Sequence, residues 1–328
     1  MKIVVAFNDD VALKPHLNEF ERAGDAEVAD TAQEIAQITG GTLMPVREVA
    51  PALEQLRRDR PEVVFNLCEG VAGRPAWEMN FALALEMLAI PFTGCDPIAT
   101  GICGDKALTK KLLTSAGVRT PRGIAVTSTR DVPALEGRWI VKPSREDAGI
   151  GIEPAAVCNG REQIAKRVAH VVATYNQPAL IEEFIDGREI NQALYEGRDG
   201  LVVLPPGEIV FAPGLSPQER VVGWKAKWAP GSSEDRATVN RTPGVMDDTT
   251  RGDVADICAQ AASVLSLRGY CRFDLRQGPA GELWIIDINP NPDIGHDTGF
   301  RKALTAAGVE FADFLNELMI SALSRRNR

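Results

Sequence analysis

The sequence predicts an α/β protein whose N-terminal part forms a parallel sheet and whose C-terminal part is α+β. Two observations support this prediction. Short apolar runs alternate with helical patterns in the first part of the chain, which is typical of parallel strands joined by helices. Nearer the C-terminus, alternating strands follow one another through turns, which is typical of hairpins. With 328 residues, the chain is expected to form two or three domains.

The composition is that of an ordinary globular protein, with 45% hydrophobic residues, 25% charged residues and a net charge of −9. An acidic chain argues against a nucleic-acid partner. No apolar run is long enough to span a membrane, so we expect no membrane partner. The six cysteines form no CxxC pair, and we expect buried free thiols in a cytoplasmic protein.

The first part of the chain predicts strands at 2–8, 42–46, 61–67 and 90–93, and helices at 26–39, 51–58 and 75–88. Ligands bind beyond the carboxyl ends of parallel strands. The segments Asn8-Asp9-Asp10 and Asn66–Gly70 occupy two such ends. Capping or turn roles explain such residues equally well, so both interpretations stay open. Residues 94–104 are rich in glycine, proline and cysteine and predict a linker between lobes.

A predicted helix at 106–116 follows Asp105, a plausible N-cap. Its lysines would ordinarily indicate a solvated face. Lys142 ends the next apolar strand, before a loop that contains Gly149 and Gly151. Such a loop can bring backbone N–H groups close to phosphate oxygens, with a lysine to neutralise their charge. The loop is neither a Walker A motif nor a dinucleotide fingerprint, and a simple hairpin turn is an equal alternative.

Residues 179–195 predict a strand, a turn and a second strand. Backbone groups at Glu182–Phe184 could face an adenine edge, and Glu189 could bind ribose hydroxyls, although an ordinary hairpin with exposed acids fits as well. Residues 222–247 are polar, rich in proline, glycine and serine, and without clear periodicity. Such a stretch inside a compact domain predicts a lid. Helices are predicted at 249–267, 296–306 and 310–324.

The strongest local pattern is a predicted hairpin of 269–276 and 282–289. With the turn centred on 280–281, Asp274 lies opposite Asp287, and Phe273 and Leu275 lie opposite Ile288 and Ile286. One face is then apolar, and the other is polar because it carries Arg272, Asp274, Asp287 and Asn289. Like charges directly opposite each other destabilise a sheet, so a cation is expected between them. Oxygen ligands of this kind suit Mg²⁺.

Taken in order, these motifs resemble the ATP-grasp superfamily, and within it the D-alanine–D-alanine ligases. The motifs run from Asp105-Lys106 through Lys142-Pro-Ser-Arg-Glu, Glu182–Glu189, Lys225-Ala-Lys227 and Arg272-Phe-Asp274 to Asp287-Ile-Asn289. The resemblance implies a three-lobed ATP-grasp architecture. We expect a Rossmann-like lobe at 1–97, a central lobe at 105–185, and a C-terminal lobe at 186–328 with its lid loop at 222–247.

The resemblance also implies ATP as cofactor, with Mg²⁺ or alternatively Mn²⁺. Lys106, Lys142 and the lid residue Lys227 would contact phosphates, and Lys227 and Arg272 would be catalytic. Arg272 would steady the acyl-phosphate or the tetrahedral intermediate. The adenosine would be bound by Glu182, Glu183, Phe184, Ile185 and Glu189. Asp274, Asp287 and Asn289 would bind two metal ions.

The sequence departs from the ligases on the amino-acid side. Glu146-Asp147-Ala148-Gly149 replaces Glu-Gly-Ser-Ser, and Asn289-Pro-Asn-Pro-Asp293 replaces Asn-Thr-x-Pro-Gly. The segment at 66–73 lacks the His-Gly-x-x-Gly-Glu-Asp-Gly pattern. We therefore expect an ATP-dependent carboxylate–amine ligase with an altered amino-acid pocket.

Its partners would be small amino-acid or peptide substrates, and a homodimer is compatible with the sequence. The alternatives are a phosphotransferase that acts on a small carboxylate or alcohol and a nucleotide-binding protein without turnover. Retention of the three metal ligands and of Arg272 argues against the second alternative.

Overall fold

A parallel sheet of three strands begins the chain in the computed structural model, which describes residues 1–9, 21–71, 74–229 and 231–325. Its elements are β1 (Ile3–Asn8), α1 (Glu21–Thr39), β2 (Thr42–Val46), α2 (Val49–Asp59), β3 (Val63–Leu67) and α3 (Glu78–Met87). The strand order is β2-β1-β3, with Val5 opposite both Leu43 and Phe65. The predicted alternation of strands and helices is confirmed. The segment predicted as a strand at 90–93 contributes one bridge, from Phe92 to Val64.

The central part of the chain forms an antiparallel sheet in the order β4-β7-β5-β6. Its elements are α4 (Pro97–Cys103), α5 (Lys106–Ser115), β4 (Gly123–Val126), β5 (Arg138–Pro143), β6 (Val157–Asn159), α6 (Gly160–Tyr175) and β7 (Ala179–Glu183). The predicted linker at 94–104 is therefore wrong in part, because it contains α4. Asp96 caps this helix by accepting a hydrogen bond from the Ala99 backbone N–H at 2.9 Å, and Pro97 suits its first turn.

The C-terminal part forms a second mainly antiparallel sheet in the order β11-β10-β8-β12-β13, with β9 paired to β8. Its strands are β8 (Arg188–Gly197), β9 (Gly200–Val203), β10 (Gly207–Phe211), β11 (Thr238–Arg241), β12 (Tyr270–Gln277) and β13 (Leu283–Asn289). The helices are α7 (Trp224–Trp228), α8 (Ser233–Arg236), α9 (Asp248–Val264), α10 (Gly299–Ala306) and α11 (Phe311–Arg325). Tyr270, Phe300 and Phe314 join the N-terminal sheet in one buried core.

The two strands predicted at 179–195 are present, but the alternative interpretation as an ordinary hairpin is wrong. β7 pairs with β4 and β5, whereas β8 pairs with β9, β10 and β12. The chain leaves one sheet at Glu183 and enters the other at Arg188. Residues 184–187 therefore bridge two sheets, and a space for a ligand lies between them.

The predicted lid at 222–247 is more regular than its composition suggests, because it contains α7, α8 and β11. β11 pairs with β10, with Val210 opposite Val239. The periodicity was hidden because each element has only four or five residues, which is too short for a recognisable pattern.

The predicted hairpin of β12 and β13 is confirmed, with Asp274 opposite Asp287 and Phe273 opposite Ile288. The prediction for the next pair is wrong, because Leu275 lies opposite Ile285. A register shift follows Asp274, and a bulge of this kind places two residues against one. Ile285 is thereby buried in the core, while Ile286 lines the cleft described below.

Candidate active site

An open cleft lies between the central sheet and the C-terminal sheet, and it encloses about 780 Å³ when the open solvent within it is included. Ten of the twelve residues predicted to act in the site line it: Lys106, Lys142, Glu182, Glu183, Phe184, Ile185, Glu189, Lys227, Asp274 and Asp287. Arg272 and Asn289 are not among the lining residues, although both lie on the strands that form the cleft floor. The sequence motifs thus converge on one place in the fold.

Apolar side chains and a buried ion pair form part of the cleft lining. Ile140, Ile185 and Phe184 contribute apolar surface. Glu189 on β8 is buried, and its Oε2 lies 2.7 Å from Nη2 of Arg276 on β12. Burial raises the pKa of Glu189, while Arg276 opposes that rise. The combination of apolar walls and a carboxylate suits a flat ring carried on a hydroxyl-bearing sugar.

Glu182 is buried between two lysines. Its Oε2 lies 2.8 Å from Nζ of Lys110, and its Oε1 lies 3.5 Å from Nζ of Lys142. Lys110 also donates to the Thr120 hydroxyl at 3.0 Å. Burial lowers the pKa of Lys110, against the attraction of Glu182. A buried charge needs partners of this kind, so the three side chains form one electrostatic unit under the cleft.

A second cationic group, centred on Lys106, also lines the cleft. Nζ of Lys106 lies 2.8 Å from Oδ1 of Asp287 and 3.1 Å from Oδ1 of Asp147. Burial would raise the pKa of Asp287, but Lys106 and Lys142 outweigh burial and lower it to about 2. Asp287 is therefore a full anion at neutral pH.

Arg272 and Asp274 form a two-pronged ion pair on β12. Nε and Nη2 of Arg272 lie 2.8 and 3.0 Å from the two carboxylate oxygens, a geometry that fixes the guanidinium plane. Burial opposes the charge on both groups, but their mutual attraction raises the pKa of Arg272 and lowers that of Asp274. Asn191 also donates to Asp274 at 2.7 Å.

The oxygen-bearing side chains of β12 and β13 fit a hard divalent cation. Asp274 and Asp287 are directly opposite each other, and Asn289 adds an amide oxygen that accepts from the Asn291 backbone N–H at 2.9 Å. Among the described residues, no group of three or more His, Cys, Asp or Glu side chains is arranged to hold a metal ion. Such a small protein ligand set suits an ion that takes its other ligands from substrate oxygens and water.

The glycine-rich loop packs against the start of the lid. The Gly149 carbonyl accepts a hydrogen bond from the Trp224 backbone N–H at 3.1 Å. Gly149 has a φ of +79°, and a Cβ there would lie 2.9 Å from the Gly223 carbonyl carbon. Only glycine fits such a conformation and approach without strain. The loop is thus a contact between the central sheet and the segment predicted to be a lid, and not a free hairpin turn.

In the strand-end cluster of the N-terminal sheet, Asn8 has a local structural role. Asn8 accepts from the Glu69 backbone N–H at 2.7 Å and donates to the Gly70 carbonyl at 2.8 Å. These contacts favour the turn interpretation for Asn8. Asp10 of this cluster, and residues 72–73 of the segment 66–73, lie outside the described residues.

Three residues of the site are not predicted from the sequence: Lys110, Arg276 and Asp147. Lys110, which is expected on a solvated helix face, is buried. Its spacing from Lys106 places both lysines on one helix face, which is a signal that could have been used. Nothing local identifies Arg276, because its partner Glu189 comes from a strand 87 positions earlier.

Comparisons with known proteins agree with this geometry. Residues 129–320 match the family model described as D-ala D-ala ligase C-terminus. An uncharacterized protein of Sinorhizobium fredii is 30% identical over 78% of this chain and 73% of its own length. The D-alanine–D-alanine ligase A of Mesorhizobium japonicum is 27% identical over 95% of this chain and 85% of its own.

Two solved structures share the fold. The D-alanine–D-alanine ligase from Bacillus anthracis complexed with ATP has a TM-score of 0.74 at 18% identity, covering 100% of this chain and 99% of that one. The D-alanyl-alanine synthetase A from Vibrio cholerae has a TM-score of 0.74 at 14% identity and covers 98% of each chain.

Fold and cleft together define an ATP-grasp protein. The chain belongs to the D-alanine–D-alanine ligase family, whose members are ATP-dependent carbon–nitrogen ligases. Over the described residues, no helix is both long enough and apolar enough to cross a membrane.

Proposed function

We propose that this ligase joins the carboxylate of one small amino-acid or peptide substrate to the amine of another, through an acyl-phosphate formed from ATP. The observation that carries the proposal is the convergence of ten predicted residues on one cleft between two sheets. Apolar side chains and the buried Glu189 line the cleft together with lysines and the facing carboxylates of Asp274 and Asp287. A nucleotide needs both kinds of surface, apolar walls for its base and cations for its phosphates.

In this proposal the adenine lies along residues 182–185 and the ribose lies at Glu189. Lys106 and Lys142 meet the phosphates, and Lys227 reaches them from the lid. Lys142 already donates to the Ile286 carbonyl at 3.3 Å on the cleft floor, which holds its ammonium in place. We assign the three lobes to 1–97, 105–185 and 186–328.

Asp274, Asp287 and Asn289 would hold two divalent cations, which we assign as Mg²⁺, with Mn²⁺ as an alternative. When bound, such an ion neutralises charge on the phosphate oxygens and aligns them. Phosphoryl transfer needs little covalent chemistry from the protein, so positioning and electrostatics account for most of the rate.

The chain's own residues supply the remaining parts. Lys106 is shared between Asp287 and Asp147, and a phosphate oxygen entering the cleft would compete for its ammonium. Arg272, fixed by Asp274, would stabilise negative charge that develops on the carbonyl oxygen when the amine attacks. The lid would exclude water, which would otherwise hydrolyse the acyl-phosphate.

The amino-acid pocket would differ from that of a ligase for two D-alanines. Asp293 stands where the ligases carry glycine, and burial raises its pKa. Asn291 accepts from the Tyr270 hydroxyl at 2.6 Å and donates to the Cys68 carbonyl at 3.4 Å. Asp147 replaces a second glycine and pairs with Lys106. Charged side chains at two former glycine positions change both the volume and the charge available to a substrate.

A coupled assay of ADP release over D- and L-amino acids and small peptides, with mass spectrometry of the products, tests the proposal. We expect ADP and an amide product only when a carboxylate donor and an amine acceptor are both present. ADP formation without any amide would indicate a phosphotransferase instead. A product that is not D-alanyl-D-alanine would support the altered pocket.

A further inference from the structure

Arg276 is a cation of the cleft lining that the proposed chemistry does not use. It lies on β12 directly opposite Glu189 on β8 and is 4% exposed. Besides the ion pair with Glu189, its Nη1 donates to the Gly187 carbonyl at 3.3 Å, and its Nη2 donates to the Arg220 carbonyl at 2.6 Å. Arg276 therefore joins the nucleotide carboxylate, the bridge between the sheets, and the segment just before the lid.

Two aromatic rings hold the same guanidinium. Its central carbon lies 5.6 Å from the ring centre of Phe184 and 5.5 Å from that of Phe211. Stacking on aromatic rings and a planar set of donors are properties of arginine that lysine lacks. This environment requires a guanidinium and not merely a positive charge.

The geometry leaves Glu189 fixed but still exposed to the cleft. The ion pair is made through Oε2, and Glu189 contributes to the cleft lining. Without Arg276, the carboxylate would lose the ion pair that fixes its orientation. With Arg276 in place, Glu189 presents its oxygens to the cleft in one orientation.

We propose that Arg276 is a positioning residue for nucleotide recognition: it fixes Glu189 as an acceptor for the ribose hydroxyls and ties that carboxylate to the root of the lid at Arg220. The inference rests on the proposed function, since it takes ATP as the ligand of the cleft. It adds a determinant of sugar selectivity that lies on β12 and does not itself meet the sugar.

The test is the preference for ATP over 2′,3′-dideoxy-ATP, measured as a ratio of Kd values by calorimetry in the presence of Mg²⁺. The wild-type protein should prefer ATP by about tenfold or more, the range for hydrogen bonds to a charged group. Arg276→Met should bring the ratio close to one, and Arg276→Lys should recover only part of it. Arg188→Met is the matched control, because Arg188 pairs with Glu208 at 2.9 Å in the same sheet and does not line the cleft.

Removing one partner of a buried ion pair can unfold a protein. A double variant therefore provides a second measurement in case Arg276→Met does not fold. Glu189→Gln combined with Arg276→Met leaves no buried charge unpaired. The ratio of Kd values for the double variant should equal that of Glu189→Gln alone, because the effects of two residues that act as a unit are not additive. A folded Arg276→Met protein that keeps the full ATP preference would overturn the proposal.

The result for the wild-type protein separates this inference from the proposed function. If the unaltered protein binds both nucleotides equally, the ribose role of Glu189 and the positioning role of Arg276 both fail. Ligation itself is decided separately, by ADP release and amide formation. A protein that ligates yet ignores the ribose would remain a ligase without this determinant.

Discussion

The ammonium of Lys106 spans both oxygens of Asp287, at 2.8 Å from Oδ1 and 2.9 Å from Oδ2. The two residues are 181 positions apart in the chain. Lys106 begins α5, and Asp287 belongs to β13, so the contact joins the two elements across the cleft. The lysine thereby neutralises part of the negative charge that the two facing carboxylates create.

Replacing Asp287 by asparagine removes one carboxylate of the proposed metal site and keeps the side-chain size. We expect ADP formation to fall by at least about 100-fold, because charge stabilisation in such sites is worth several kcal/mol. Asp248→Asn is the matched control, since the Asp248 side chain is 97% exposed on α9. Coupled ADP release measures both variants. A folded Asp287→Asn protein with a near-normal rate would refute the metal assignment.

Replacing Arg272 by lysine keeps the charge and loses the planar pair with Asp274. We expect kcat to fall by about 100-fold or more, as when a group that stabilises an oxyanion is removed. The Kd for ATP should change less than about twofold, because Arg272 does not line the nucleotide cleft. Steady-state kinetics and calorimetry separate the two effects. An equal loss of ATP binding would place Arg272 in nucleotide binding instead.

Replacing Lys110 by methionine leaves the buried Glu182 with Lys142 as its remaining lysine partner. We expect the free energy of unfolding to fall by about 3 kcal/mol or more, the usual effect of breaking a buried ion pair. Lys111→Met should change it by less than about 0.5 kcal/mol, because Lys111 is exposed on the same helix. Urea denaturation measures both variants.

Adding Glu182→Gln to Lys110→Met should recover part of the lost stability, since no buried carboxylate is then left short of a partner. If the double variant were less stable than Lys110→Met, the loss would have to come from packing and not from the charge.

Asp105 provides a prediction about acid stability. It caps α5 through the Ala107 and Leu108 backbone N–H groups and pairs with Nε of Arg145 at 3.0 Å. Burial would raise its pKa, but these hydrogen bonds and Arg145 lower it below its usual value. A lowered carboxyl pKa stabilises the fold above the unfolded-state value near pH 4, and that contribution is lost as pH falls further.

We therefore expect Asp105→Asn to cost about 1 kcal/mol at pH 7 and less at pH 2. Asparagine can still cap the helix, so the difference reports the charge. Arg145→Met should show the same trend from the other partner. Denaturant unfolding across this pH range measures it, and a cost that grew toward pH 2 would contradict the assignment.

The fold was predictable where a pattern is local. The alternation of strands and helices in the N-terminal sheet and the pairing of Asp274 with Asp287 both follow from short periodic runs and a turn. The bulge after Asp274 was not predictable, because one extra residue leaves the alternation of apolar residues nearly unchanged. For that reason Ile286 was assigned to the wrong face.

Contacts between sheets were harder to predict than contacts within a strand. The run from Ala179 to Tyr195 has the same pattern whether its strands pair with each other or enter different sheets. The burial of Lys110 and Arg276 depends on Glu182 and Glu189, which neighbour them only after the chain has folded. A single sequence does not reveal such long-range partners. The order of the motifs along the chain, and not the periodicity of the strands, indicated that the motif residues share one site.

The most direct test of the central claim is a crystal structure of the protein with Mg²⁺ and a non-hydrolysable ATP analogue. The proposed function predicts a triphosphate within hydrogen-bond distance of Lys106 and Lys142, with metal density between its oxygens and Asp274 and Asp287. A nucleotide bound outside the cleft, or phosphates remote from both carboxylates, would contradict it.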